Sequence, residues 1–163
     1  MLRFFMKANE VEEKDSFGIF NDSGKKCYYT KDDFMTTGHR IKIYMADTIT
    51  EVAHVQEKNS LGEVRFEFSS RGDNFGDIIV RGGSVGDVEI DYNNWRIEGN
   101  PFSWNYDIYM GSLRIMSARQ TMYMIPGQAL SMTNTYILGV ANDSDALICI
   151  AFALAVFAAK KYM

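Results

Sequence analysis

The stretch that most limits how this chain can fold is its last, Ala146-Leu-Ile-Cys-Ile-Ala-Phe-Ala-Leu-Ala-Val-Phe-Ala-Ala159. No charged residue interrupts it, so as a helix it offers no face to water and must be enclosed on every side, by lipid or by protein. A bilayer span takes roughly twenty residues, and this run has about fourteen. A core helix is therefore expected, with a membrane anchor as the alternative. Asp143, Ser144 and Asp145 offer side-chain oxygens to the unpaired N–H groups of a first turn. Lys160 and Lys161 suit the negative end of the helix dipole. The spacing predicts a buried helix over 143–161.

What surrounds it is legible in the preceding residues, 1–142, which read as short strands and turns. Arg40-Ile-Lys-Ile-Tyr-Met45 and Val64-Arg-Phe-Glu-Phe68 alternate apolar with polar, the period of a half-buried strand. Further strands are expected at 2–6, 17–20, 26–30, 50–58, 77–80, 88–92, 95–98, 106–110, 113–119 and 136–140, with a tight turn at Asn21-Asp-Ser-Gly24. A sandwich has no place for a helix that is apolar all round. A closed barrel does, and closure also removes sheet edges. The expected fold is mainly β (α+β), a closed antiparallel barrel of about twelve strands wrapped around the C-terminal helix. At 163 residues a single domain over 1–163 suffices. A weak internal repeat runs through Phe17-Gly-Ile-Phe-Asn-Asp-Ser-Gly24, Arg40-Ile-Lys-Ile-Tyr-Met-Ala-Asp47 and Asn105-Tyr-Asp-Ile-Tyr-Met-Gly-Ser112, each ending a strand in a turn.

Charge and cysteine content narrow the function classes. The net charge of -4 gives no electrostatic support to a nucleic-acid partner. Cys27 and Cys149 have neither metal nor redox spacing, and the apolar part of Met-Leu-Arg-Phe-Phe-Met-Lys7 is short for a secretion signal. A cytoplasmic protein with reduced thiols is expected, with no cofactor and no metal. Aromatic residues such as Phe66, Phe68, Trp95, Trp104 and Tyr106 read as barrel lining rather than base-stacking platforms, because no Lys/Arg groove interleaves them.

The order of pieces along the chain carries a resemblance. A strand–turn–strand with Ile-x-(Asn/Asp)-x-x-Gly is followed by Trp95-Arg-Ile-Glu-Gly-Asn100, Tyr106-Asp-Ile-Tyr109, Asn134-Thr-Tyr-Ile-Leu138 and an acidic lead into the apolar helix. This order resembles the LURP-one-related family of the tubby C-terminal-like superfamily, to which phospholipid scramblases also belong. Met45 and Met110 depart from it by standing where the turns usually carry an acidic residue, and Thr48 stands where they carry Gly. The resemblance implies a barrel closed around a hydrophobic helix, and offers phosphoinositide or membrane-surface binding as a function.

No residue pattern nominates a catalytic centre. Gly82-Gly-Ser-Val-Gly86 fits the nucleophile elbow, which needs a strand before Ser84 and a helix after it. Val88-Glu-Ile90 reads instead as another strand, so a glycine hairpin is expected and a hydrolase using Ser84 is the alternative. His39 and His54 could pair with carboxylates but have no metal spacing, and His54 reads as a solvated strand residue. Arg71-Gly-Asp73 reads as a turn, and the carboxylates read mostly as single groups on outward strand positions, with no acid/base pair to nominate. The densest exposed cations are Lys25, Lys26, Arg40 and Lys42, the candidate surface for anionic lipid. The expected function is a non-catalytic binding or scaffold domain, with a membrane surface or a protein as partner. The core helix is expected to rest on Leu147, Ile150, Phe152, Leu154 and Phe157.

Overall fold

The computed structural model describes residues 2–8, 17–32, 38–60, 63–70, 73–81, 88–121 and 135–159. Twelve strands precede one helix: β1 Leu2–Ala8, β2 Phe17–Phe20, β3 Lys26–Asp32, β4 Arg40–Met45, β5 Glu51–Ser60, β6 Glu63–Ser70, β7 Asp73–Arg81, β8 Val88–Asp91, β9 Trp95–Asn100, β10 Asn105–Met110, β11 Leu113–Thr121, β12 Thr135–Val140 and α1 Ala146–Ala159. All form one antiparallel sheet in the order β8-β7-β6-β5-β4-β3-β2-β1-β12-β11-β10-β9. Each strand pairs with the next in sequence except β8 with β9, and the first and last strands meet in register from Leu2–Val140 to Lys7–Thr135. The barrel is nearly closed. Its seam lies between β8 and β9, which share a turn but no described ladder. There Asn93 and Asn94 take left-handed backbone angles (φ 50° and 57°), and the Tyr92 and Trp95 rings pack edge-on at 4.7 Å. Trp95 N–H also donates to the Tyr92 carbonyl at 2.9 Å, so the turn joins the two strands at one end of the seam.

Alternation decides what faces inward. Ile41 and Ile43 of β4, Val55 of β5 and Phe66 and Phe68 of β6 are all buried, as period two requires. β7 starts earlier than the glycine-rich sequence suggests. Gly76 lies inside it because a Cβ there would meet the Asp91 carbonyl oxygen at 2.7 Å and Tyr92 Cβ at 2.9 Å. The glycine serves close approach of two strands rather than a turn.

α1 fills the barrel and packs against β5, β6, β7 and β12. Ile150, Phe152 and Leu154 are enclosed, and Ala151, Ala153, Ala155 and Ala158 let strand side chains come close. Leu147 and Phe157 are only half-buried, because they lie in the first and last turns, at the barrel mouths. The lead-in differs from the expected N-cap: Asp143–Asp145 form a 3-10 turn, with Asp145 N–H donating to the Asn142 carbonyl at 3.1 Å. The strands cover the helix's apolar surface, which removes the observation that suggested a lipid anchor. No described helix is long and apolar enough to cross a membrane.

The weak repeat has a structural counterpart. The ladder shifts by a bulge at Ile19/Phe20 between β2 and β3, at Ile43/Tyr44 between β4 and β5, and at Ile108/Tyr109 between β10 and β11. In each case the isoleucine is fully buried and the aromatic after it faces outward, half-buried. Bulges gather at barrel rims, where they add twist and re-aim side chains. Because neighbours alternate in direction, the turns at 21–25, 46–50, 92–94 and 111–112 and the lead-in to α1 share one end, called the near end below.

Candidate functional site

Two constellations stand out, one closed and one open. The closed one lies at the far end. β3 ends at Asp32 and β4 begins at Arg40, and His39 Nδ1 sits 2.5 Å from Asp32 Oδ2 with both side chains 6% exposed. Glu57, in phase with Ala53 and Val55 on β5, also points inward and is 1% exposed. Its backbone N–H donates to the His39 carbonyl at 2.9 Å, and Gln56 Nε2 donates to the same carbonyl at 3.4 Å. Gly38 has φ +108°, and a Cβ there would fall on the Glu57 carboxylate. Asp32 and Glu57 are exceptions to the mostly outward carboxylates expected: both enter the barrel, and Asp32 pairs with His39, a histidine for which a carboxylate partner was open. So enclosed a pair offers a dissolved substrate little access. Its geometry ties the start of β4 to β3 and β5. His54 faces outward, with Nδ1 3.2 Å from Glu51 Oε1.

The open constellation runs along the outer face of β3, from the β4–β5 turn at the near end to Lys31, beside Asp32, toward the far end. A cleft of about 740 Å³ is lined by Lys26, Tyr29 and Lys31 of β3 and by Asp47, Thr48, Ile49 and Thr50 of the β4–β5 turn. The turn is built to hold its shape. Met45 N–H donates to the Thr50 carbonyl at 3.0 Å, and the Thr48 hydroxyl donates to the Met45 carbonyl at 2.8 Å while accepting from Thr50 N–H at 3.1 Å. Asp47 takes the left-handed conformation (φ 60°) that Asp tolerates better than most residues. The Tyr29 hydroxyl donates to the Thr48 carbonyl at 2.6 Å and so fastens the turn to β3. Tyr29 stacks on Tyr44 at 5.0 Å, with Lys26 Nζ 5.8 Å from the Tyr29 ring centroid. At the tip of this braced turn Ile49 is 93% exposed.

Of the four cations nominated from the sequence, only Lys26 lines the cleft. Lys31 joins it there, and Lys42 lies opposite Lys31 in the β3–β4 register. Lys25 is exposed in the β2–β3 turn. Arg40 starts β4, about 17 Å along the strand from Met45 by strand rise, and is half-buried. The four cations nominated from the sequence thus do not form one cluster, and Lys26 alone of them shares the cleft with Lys31. Lys31 was readable from its outward phase with Tyr29. Ile49, a lone apolar residue between two threonines in a turn, was readable as an exposed side chain with no strand to hide it. Ser84 lies outside the described residues, as do Arg71, Lys160 and Lys161. Among the described residues no group of three or more His, Cys, Asp or Glu side chains is arranged to hold a metal ion.

With this geometry the comparisons with known proteins can be weighed. Residues 2–157 match the family model described as LURP-one-related. The chain belongs to the LURP-one-related family. It is also similar to the uncharacterized protein YxjI of Bacillus subtilis (strain 168), at 24% identity over 155 residues, which span 94% of this chain and 91% of that protein. No solved structure gives a significant match. Family membership runs through β1 to most of α1, so barrel and helix belong to one family unit. Neither comparison attaches a ligand or a reaction to it.

Proposed function

We propose that this LURP-one-related chain is a non-catalytic binding domain whose β3–β5 face meets an anionic membrane surface, at the cytoplasmic side. The observation that carries the reading is Ile49, 93% exposed on a braced turn beside the cleft lined by Lys26 and Lys31. A membrane interface takes both kinds of group at once. Each lysine near an anionic surface contributes about 1 kcal/mol, and burying an isoleucine about 1.5–3 kcal/mol. Asp47 on the same cleft and the net charge of -4 oppose the attraction, so the binding is weak, reversible and sensitive to salt.

Co-sedimentation with phosphatidylcholine vesicles, with and without phosphatidylserine, tests this at low and physiological salt. Binding that needs the anionic lipid, weakens with salt and is lost in a Lys26→Glu/Lys31→Glu double variant supports the reading. No sedimentation at either salt contradicts it. The non-catalytic part is tested separately by an ester-substrate screen of the wild type against Ser84→Ala, where turnover lost in the variant overturns it.

A further inference from the structure

We infer that the barrel docks end-on, with the near-end rim as its membrane contact and the β10–β11 turn as a second foot opposite the β4–β5 turn. The inference rests on the membrane reading above and adds its geometry. Among the described residues the exposed large hydrophobic side chains are Leu2, Met45, Ile49, Met110 and Leu113. All of them lie at the near end: Leu2 opens β1, Met45 and Ile49 belong to the β4–β5 hairpin, and Met110 and Leu113 flank the β10–β11 turn. In the ring order, four strands separate the two hairpins on either side, β3, β2, β1 and β12 on one and β6 to β9 on the other. The hairpins are therefore diametrically opposite, with Leu2 on the arc between them.

The two feet are built alike. Ile43-Tyr44-Met45 and Ile108-Tyr109-Met110 share a buried isoleucine, a bulge, an outward tyrosine and an exposed methionine. Each has a cation on an aromatic face, Lys26 over Tyr29 beside Tyr44 and Arg96 over Tyr109 at 5.1 Å. Each is braced, the first through Thr48 and the second by Arg96 donating to the Gly111 carbonyl. Arg114 follows Leu113, and Arg3 follows Leu2, where it pairs with Asp22 at 2.8 Å.

The distribution favours a lipid surface over a folded partner. A contiguous apolar patch would suit a protein groove or a membrane alike. Here the apolar tips stand apart around a rim, with polar residues between them. A bilayer interface is planar and deformable, so it can bury several separated tips at once while the cations beside them stay at headgroup level. Asp22, Asp47, Glu51, Asp91, Asp143 and Asp145 lie at the same end and repel anionic lipid, so the cations alone do not hold the rim down and the inserted tips are needed beside them.

The test uses the full chain on phosphatidylcholine/phosphatidylserine vesicles, comparing Ile49→Asp with Leu113→Asp. Both positions are exposed, so circular dichroism and melting should match the wild type. End-on docking predicts that each variant alone lowers vesicle partition about tenfold or more, since each removes one inserted tip. It also predicts that an environment-sensitive dye at Leu113→Cys, in a Cys27→Ser background, shifts to the blue on vesicles. If the wild type binds and Ile49→Asp abolishes binding while Leu113→Asp and the dye are unaffected, contact is through the β3–β5 face alone. The end-on inference is then overturned and the membrane reading survives. If the wild type binds no vesicle, both fall. A dye that shifts only with rising protein concentration makes the rim a contact between copies, and also overturns the inference.

Discussion

Replacing Phe152 with alanine probes the packing of the barrel at its centre. Phe152 is fully buried in α1 and its ring lies 5.7 Å from that of Tyr106, at 57°. Removing it withdraws a phenyl group from a site closed on all sides and leaves a hole that the strands, held in a continuous ladder, can only partly collapse. Core phenylalanine-to-alanine changes cost about 3–5 kcal/mol, and the lost contact with Tyr106 argues for the middle of that range or above. A loss of about 4 kcal/mol is a large part of a total near 5–15 kcal/mol. For a chain of this length it lowers the melting temperature by roughly 8–16 °C. Thermal and urea melts of the variant measure it, with Leu113→Ala, at 52% exposure, as a control expected within about 0.5 kcal/mol of wild type. A Phe152→Ala protein that melts within a degree or two of wild type would refute the enclosed helix.

Three further outcomes follow from the buried groups. Gly38→Ala should destabilise by about 3 kcal/mol, because its φ of +108° is strained for alanine and the new methyl falls on the enclosed Glu57 carboxylate; a urea melt shows it, and an unchanged midpoint contradicts the close approach. Cys149 should resist thiol reagents until the protein unfolds, since burial, with a smaller push from Asp145, raises its thiol far above the ordinary range, while half-buried Cys27 reacts in the native state; mass spectrometry after timed labelling separates the two. Stability should fall as pH rises above about 9–10, where the unfolded chain releases the Cys149 and Tyr106 protons that the fold retains, so that the unfolded state binds fewer protons and the slope of stability with pH is negative; a Tyr106→Phe variant should lose less over that interval in melts at stepped pH.

The barrel was legible because its strands obey period two and its helix obeys no amphipathic period at all. Ile41 and Ile43, or Phe66 and Phe68, state their inward face by spacing alone, and a fourteen-residue helix with no polar side needs a closed wall. The β8–β9 seam was not legible, because two short strands joined by a tight turn read as a paired hairpin whether or not a ladder forms between them. The repeat was visible as Ile-aromatic pairs before turns, but the shared bulge is a property of pairing between strands. Glu57 was readable in phase with Ala53 and Val55; an expectation that charge faces water hid it. The Asp32–His39 pair depends on two strand ends meeting across a connection, which no local pattern encodes. The cleft was half legible: the cations were in the sequence, but which of them share a face with Ile49 follows only from the β3–β4 register.

The central claim is that α1 is the core of the barrel and not an appendage, and removing it tests that most directly. The full chain and a chain ending at Asp143 are expressed side by side and compared for soluble yield and thermal melting. With Ile150, Phe152 and Leu154 gone, the truncated barrel exposes a lining that includes Ile43, Val55, Phe66, Ile78 and Ile108. The account predicts an insoluble product with no cooperative melt. A truncated chain that stays soluble and unfolds cooperatively near the full-length midpoint would contradict it.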